Sequence, residues 1–304
     1  MKNLRFVKRI FLVIGLSMMS IHASAYGKGY GRYNRASVNH FFTVGASAGY
    51  SNFIENYQDL QTTGSAAAAV TLGYEMRVNH FYFTTGVEAQ WLNANAEYNV
   101  ERFDMSIRDT KGDLAIMYYD FDPIKEHQSV CHIQVPLIFG FYQRGFYAGA
   151  GAKVGFPVVS SIEQELSYKT SGSYREYIDN FEGMDKHGYG DYTTNARVEL
   201  DAHIKLSLAA EIGYDVLAPY RRANSGTRHG LRVAAVCEYG LNNVFGTEKT
   251  SDIFEVSSEN ANVVTAKPYY QTHSISGHIV NGLYAGVKLT WICDFSRVPC
   301  DCDD

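Results

Sequence analysis

The sequence predicts an all-β fold: an eight-stranded antiparallel transmembrane up-and-down β-barrel with long extracellular loops. Three observations predict it. Eight separate segments alternate large apolar residues with small or polar ones, and a strand sends successive side chains to opposite faces. The connections between segments alternate between long and short, as in closed membrane barrels. Aromatic residues gather at both ends of the apolar faces, where a bilayer places its interfacial belts.

The segments run as follows. The first sets Phe42, Val44, Ala46, Ala48 and Tyr50 against Thr43, Gly45, Ser47 and Gly49. The second sets Ala66, Ala68, Val70, Leu72, Tyr74, Met76 and Val78 against Ala67, Ala69, Thr71, Gly73, Glu75 and Arg77. The third sets Phe81, Phe83, Val87, Ala89 and Trp91 against Tyr82, Thr84, Gly86, Glu88 and Gln90. In the fourth, Ile133, Val135, Leu137, Phe139 and Phe141 oppose His132, Gln134, Ile138 and Gly140. In the fifth, Phe146, Ala148, Ala150, Ala152, Val154 and Phe156 oppose Tyr147, Gly149, Gly151, Lys153 and Gly155. The sixth places Leu206, Leu208, Ala210, Ile212 and Tyr214 opposite Lys205, Ser207, Glu211 and Gly213. The seventh places Leu231, Val233, Ala235, Cys237 and Tyr239 opposite Arg232, Ala234, Glu238 and Gly240. The eighth places Leu283, Ala285, Val287, Leu289 and Trp291 opposite Tyr284, Gly286, Lys288 and Thr290.

The direction of this alternation decides between two kinds of barrel. A soluble lipocalin-like barrel turns its apolar face inward. Here the small, glycine-rich face also carries the charges, which suits the narrow interior of an eight-stranded barrel facing lipid on its outside. Tight turns fall at Asn79-His80 and Gln143-Arg144-Gly145. A longer one near 217–229 carries Arg221, Arg222 and Arg228. Long polar connections are expected near 51–64, 95–128, 160–200 and 244–278. Phe81, Phe83, Phe139, Phe141, Phe146, Tyr214 and Trp291 form one aromatic level, and Tyr50, Trp91, Phe156 and Tyr239 the other.

Composition agrees with the pattern. The chain has 304 residues, with 23 tyrosines and 27 glycines against 6 prolines, a mix that favours strands. A charged fraction of 19% and a net charge of −5 leave no basis for nucleic-acid binding. Lys2, Arg5, Lys8 and Arg9 precede an apolar run from Ile10 to Ile21, then Ala23-Ser24-Ala25. That reads as a signal peptide over 1–25, cleaved after Ala25, and the run is too short to span a bilayer. A flexible periplasmic leader follows over 26–39, the outer-membrane β-barrel over 40–295, and an acidic Cys-x-Cys tail over 296–304. Cys131 and Cys237 sit alone in strand-like segments, while Cys293, Cys300 and Cys302 crowd the tail. Five cysteines leave at least one unpaired, and spacing does not fix the pairing.

Two sets of strand motifs carry a family resemblance. Ile133-Gln134-Val135-Pro136-Leu137 is followed by Phe146-Tyr147-Ala148-Gly149-Ala150-Gly151-Ala152-Lys153-Val154-Gly155. Glu211-Ile212-Gly213-Tyr214, Tyr239-Gly240-Leu241-Asn242 and Tyr284-Ala285-Gly286-Val287-Lys288 repeat the pattern. Over about 40–295 the chain resembles the PorT-like family of outer-membrane β-barrels. The resemblance implies an OmpA-like barrel without an assigned enzymatic activity, and one family member belongs to a protein-export system. No functional residues transfer. Where such barrels end on an aromatic strand residue, this chain runs on through Cys293-Asp294-Phe295, leaving Trp291 or Phe295 as the terminal assembly signal.

The inward face carries the candidate site, a lumen charge network of Glu75, Arg77, Glu88, Lys153, Lys205, Glu211, Arg232, Glu238 and Lys288. Charges removed from water need partners, and the near-balance of sign favours a lumen plugged by pairs over an ion path. Gly45-Ala46-Ser47-Ala48-Gly49 matches the hydrolase G-x-S-x-G pattern, but that chemistry needs a strand-to-helix turn, and the stretch reads as mid-strand. His127, Cys131 and His132 do not share a face, and His273 and His278 lie in or near a loop, so no metal site is expected. His273 with Ser274 or Ser276 is the one pair a lipid-modifying enzyme could use. Neither Arg108–Asp113 nor Asp185–Asp191 has calcium-loop spacing. The reading is therefore a non-enzymatic barrel without cofactor, with a structural or surface-interaction role. Its partners are outer-membrane lipid and an extracellular ligand or protein at the long loops; oligomeric state is left open. The alternatives are a small pore, an export-system subunit and a lipid-modifying enzyme.

Overall fold

The structure is a computed structural model, and it describes residues 38–55, 60–108, 114–174, 180–181, 189–217, 228–245, 254–256, 263–272 and 280–294. In chain order the elements are β1 (Val38–Ile54), β2 (Leu60–Val78), β3 (Phe81–Tyr98), β4 (Phe103–Arg108) and β5 (Leu114–Phe121). Then come β6 (Ile124–Gln143), β7 (Phe146–Tyr174), β8 (Asn180–Phe181), β9 (Asp191–Glu199) and β10 (Lys205–Leu217). The last are β11 (Arg228–Gly240), β12 (Phe254–Val256), β13 (Val264–Ala266), one helical turn α1 (Tyr269–Thr272) and β14 (Asn281–Asp294).

Eight of these strands close a ring. The order β10-β11-β14-β1-β2-β3-β6-β7 returns to its start through pairing of β7 with β10, from Phe146↔Tyr214 to Gly155↔Lys205. Every neighbour is antiparallel. Closure removes the sheet edges, which is what lets strands cross lipid with all backbone groups paired. Leu72, Val70, Phe139, Leu208 and Val287 are each more than half exposed on the outside, and Phe81 is 68% exposed. Glu75, Glu88, Lys205 and Glu238 are buried inside. An apolar outer belt around a charged interior is the inverse of a soluble barrel and defines a transmembrane one.

Two tight turns set the register at one end. Asn79 adopts φ 55° between β2 and β3, and Arg144 and Gly145 adopt φ 51° and 89° between β6 and β7. Asparagine and glycine tolerate this left-handed region best. Inside the ring, a Cβ added at Gly140 or Gly149 would overlap the Tyr82 ring or its hydroxyl. These two glycines make the space that the Tyr82 side chain fills.

At the far end, much of what is described of the expected long connections is strand. β6 has 20 residues and β7 has 29, whereas a tilted strand needs only ~9–11 to cross a bilayer. The excess stands above the membrane as a wall. Residues 51–64 are mostly the ends of β1 and β2; 95–128 contain β4 and β5; 160–200 contain the outer part of β7 with β8 and β9; and 244–278 contain β12, β13 and α1. The reason is that the outward residues of these stretches are polar while many inward ones are large and apolar. Their inward partners are Tyr98, Met117, Tyr119, Ile124, Ile162, Leu166 and Tyr168, all buried in one hydrophobic cluster. Alternation continues into these stretches and keeps much of their described parts in strand. β9 pairs with β7 from Ser161↔Glu199 to Lys169↔Asp191, and β5 takes over the other edge of β7 from Phe121↔Tyr168 upward.

The ring begins at Val38, two positions before the expected boundary at 40, and the last strand ends at Asp294. The signal peptide, nearly all of the leader, Phe295, the tail and most of the 217–229 turn lie outside the described residues.

Candidate functional site

Two layers of charge cross the lumen. In the layer nearer the tight turns, Glu75 of β2 lies 2.7 Å (Oε2) and 3.1 Å (Oε1) from Arg232 Nη1 and Nη2, and 2.5 Å (Oε1) from Arg77 Nε. Asp215 accepts from Arg232 Nε at 2.7 Å and from Arg77 Nη1 at 3.4 Å. Arg77 also stacks between Phe41 and Tyr142, and Arg232 over Tyr147. Two acids and two guanidiniums thus neutralise one another across β2, β10 and β11. The planar guanidinium suits this role because it can bridge carboxylates while its face rests on a ring.

The second layer is built around Glu88 of β3 and Glu238 of β11. Lys153 Nζ lies 2.6 Å from Glu88 and 2.9 Å from Glu238. Lys205 donates to Glu238 and, at 2.8 Å, to Gln90 Oε1. Gln134 and Thr71 donate to Glu88 at 2.6 and 2.8 Å, and Ser207 donates to Glu238 at 2.9 Å. To one side, Lys288 faces Glu211 at 3.6 Å, and the Tyr82 hydroxyl donates to Glu211 at 3.1 Å. A cavity of about 30 Å³ remains, lined in part by Thr84, Glu88, Lys153, Tyr284 and Lys288. That is room for about one water molecule.

All nine residues of the sequence-predicted network lie in these two layers. Sequence reasoning missed Asp215, which continues the inward parity of Lys205, Ser207, Glu211 and Gly213 one step beyond where that segment was ended. It also left out the neutral partners Gln90 and Gln134, which sit at inward positions. His132 is inward and fully buried, and its ring nitrogens have no hydrogen-bond partner among the described residues.

Above the charges the mouth is closed by packed rings. Phe245 and Tyr270 stack with centroids 4.9 Å apart, Tyr98 and Tyr269 meet at 4.9 Å, and Phe121 stacks on Phe254 at 4.3 Å. The paired strands β12 and β13 and the turn α1 supply several of these groups, so residues 254–256 and 263–270 help fill the mouth. A carboxylate fixes α1 there. Glu126 accepts from the Tyr269 amide at 3.0 Å, from Gln164 at 2.8 Å and from the Tyr98 hydroxyl at 3.2 Å. Burial pushes its pKa up, with these donors opposing. Nearby, the Tyr270 hydroxyl donates to Glu55 at 2.8 Å. Burial, partly offset by that bond and reinforced by the Glu126 charge, pushes Glu55 up to about 7.

The outer side of the same wall carries a groove of about 630 Å³. Register builds it from two rows across β2, β3, β6, β7 and β9. One row is Thr63, Asn95, His127, Glu163 and Arg197; the other is Gln61, Glu97, Lys125, Glu165 and Asn195. All ten side chains are exposed. Arg197 pairs with Glu163 at 3.1 Å, and His127 Nδ1 lies 2.7 Å from Asn95 Oδ1.

Among the described residues the other candidate chemistries find no assembled site. Ser47 is mid-strand in β1, and its hydroxyl receives a 2.8 Å hydrogen bond from Tyr284. His127 faces outward and His132 inward, and no group of three or more metal-ligating residues occurs among the described residues. Cys131, Cys237 and Cys293 carry free thiols. His273, Ser274, Ser276, His278, Cys300, Cys302, most of 108–113 and most of 185–191 lie outside the described residues.

Fold and site together define a transmembrane β-barrel with a charge-filled lumen and a folded mouth. No family model and no curated protein matches the chain, so the PorT-like resemblance rests on strand motifs alone. Among solved structures the chain is similar to Ail, the attachment invasion locus protein of Yersinia pestis, in complex with the heparin analogue sucrose octasulfate. The identity is 9%, the TM-score 0.24, and the match covers 83% of this chain and 98% of that one. A second is the Pseudomonas putida toluene transporter TodX, at 6% identity and TM-score 0.15, covering 85% and 90%. A deltaS2 mutant of the TodX monoaromatic hydrocarbon channel gives 6% and 0.16, covering 86% and 91%. At these scores the likeness carries no argument about ligand or transport.

Proposed function

We propose that the protein is a non-enzymatic bacterial outer-membrane barrel that anchors a folded β-platform at the cell surface, and that its lumen does not conduct. The observation that carries this reading is the filling of the lumen at three successive levels: the arginine layer, the lysine layer and the aromatic mouth. An ion path needs continuous water, and the cavity beside the lysine layer holds about 30 Å³. Export fits the signal-peptide pattern at 1–25, and lipid contact fits the apolar belt. Long strands raised above that belt favour display, because recognition is commonly carried by segments held on a rigid scaffold.

The experiment is surface labelling. Asn195→Cys lies on the outward face of β9. Intact cells carrying it are treated with a membrane-impermeant maleimide and compared with wild type. Labelling of the variant beyond the wild-type level is expected. Labelling that requires permeabilised cells would overturn surface display.

A further inference from the structure

We infer that the outer edge of β9 takes up an extended polypeptide segment of another protein as an added strand. The inference rests on the platform reading and names its partner. Three observations converge on it.

The first is the backbone. The Leu200 amide donates to the Ser160 carbonyl at 3.2 Å, and the Thr170 amide donates to the Gly190 carbonyl at 2.9 Å. The even-numbered positions at both ends of β9 therefore bond to β7. Successive residues of an antiparallel strand turn their backbone groups to opposite sides. Asp191, Thr193, Asn195, Arg197 and Glu199 thus turn theirs away from β7. Among the described residues β9 pairs with β7 alone. A row of such amides and carbonyls is a template for one more strand.

The second is burial. Register carries each inward row of the wall across to β9. Ala96, Glu126 and Gln164 share one row and are 3%, 2% and 3% exposed. Gln128 and Ile162, in the next, are fully buried. The rows end on Ala196 and Val198, which are only half-buried, as is Tyr192. The inner layer of the wall is uncovered on this side. A strand with apolar residues at alternate positions would extend the ladder and the cover together.

The third is what the edge lacks. Natural edge strands are blunted by proline, bulges, lysines or inward charges. β9 contains no proline or lysine, keeps unbroken register and has no charge on its inward face. Two of its outward charges are met along the sheet: Arg197 reaches back to Glu163 at 3.1 Å, and Lys169 stands opposite Asp191. Glu199 has Ser161 opposite it, so a basic residue of the partner can meet this carboxylate. The stretch of β7 beside β9 turns Glu163, Glu165 and Lys169 outward, which places the edge above the apolar belt, in water. A second copy fits less well. Two copies in one membrane share an up–down direction, so a two-fold along the membrane normal sets their β9 strands parallel, and the antiparallel ladder is the more stable.

The probe is a nine-residue peptide matched to the length of β9: lysine, then alternating valine and threonine, with a fluorophore at its C-terminus. Running antiparallel to β9, it sets its lysine opposite Glu199, its threonines outward and its valines inward. Its binding to the full chain folded in detergent micelles is followed by fluorescence anisotropy, and saturable binding is expected. N-methylation of the central threonines removes the amides that meet β9 and should weaken binding roughly tenfold or more. N-methylation of the valines should change it by less than about threefold, because those amides point away from β9. Asn195→Pro removes an edge amide without removing a bond to β7 and should weaken binding, while heat-modifiable gel mobility shows the barrel still folded. Absent binding, equal affinity of the two methylated peptides, or a folded Asn195→Pro variant that binds as wild type would each overturn the inference. A wild-type dimer in native mass spectrometry that the peptide converts to monomer would assign the edge to a second copy and overturn the choice of partner. Surface labelling of Asn195→Cys that succeeds while the peptide fails removes this inference and leaves the platform reading standing.

Discussion

Arg232 shows what a single lumen residue does. Its guanidinium bridges Glu75 and Asp215 and rests on Tyr147. Arg232→Ala leaves two buried carboxylates short of a cation, a loss that costs ~3–5 kcal/mol when one partner of a buried pair is removed. In urea titrations of protein folded into vesicles, the unfolding free energy should fall by about that amount; a fall below ~1 kcal/mol would contradict the pairing. Gly149 tests the interior from the steric side. Gly149→Val pushes into the Tyr82 hydroxyl and the bond from it to Glu211. Overpacking of this kind costs ~1–3 kcal/mol, whereas Gly→Val at an open strand position should not destabilise. At this scale much was legible in the sequence. Strand parity alone marks all nine network charges as inward, and it marks Asp215 too once the sixth segment is carried one step further. The partners were not legible. Glu75 and Arg232 stand 157 positions apart, and only the closed register of the ring brings them together.

At the scale of elements, the informative case is the set of segments expected to be loops. Their outward residues are polar, and composition reads them as solvated. Inward residues such as Tyr98, Ile162, Leu166 and Tyr168 keep period two and belong to the mouth core. Their signal is alternation, which average polarity conceals. What no local pattern shows is the seating of α1, because Glu126 and Tyr269 are 143 positions apart. The mouth should respond to pH. Glu55 has its carboxyl raised from 4.5 to about 7 in the folded protein, and Glu126 shifts in the same direction. Between those values the folded state holds protons that the unfolded state has lost. Stability contributed by the mouth is therefore full near pH 4.5 and declines as pH rises through about 7. The thermal midpoint should be lower at pH 8 than at pH 5, and Glu55→Gln should narrow the difference. A midpoint difference unchanged in that variant would show that Glu55 is not the titrating group.

At the scale of the molecule, the fold separates three tasks along one axis. The outer belt meets lipid, the lumen charges tie opposite walls together, and the raised wall carries an aromatic core inside and a polar groove outside. The number of ring strands, the two tight turns at Asn79-His80 and Arg144-Gly145 and the sense of inside and outside were legible, because lipid on one face and a narrow interior on the other constrain every ring strand alike. The asymmetry of the raised wall was not, since it arises where β5 and β9 add to β7 above the ring. The central claim is that this axis is blocked. Reconstitution of the purified protein in planar lipid bilayers, with current recorded under applied voltage, tests it most directly. The account expects a flat baseline from the wild-type protein, with insertion verified separately by heat-modifiable mobility. Reproducible stepwise conductance from the folded wild type would contradict it.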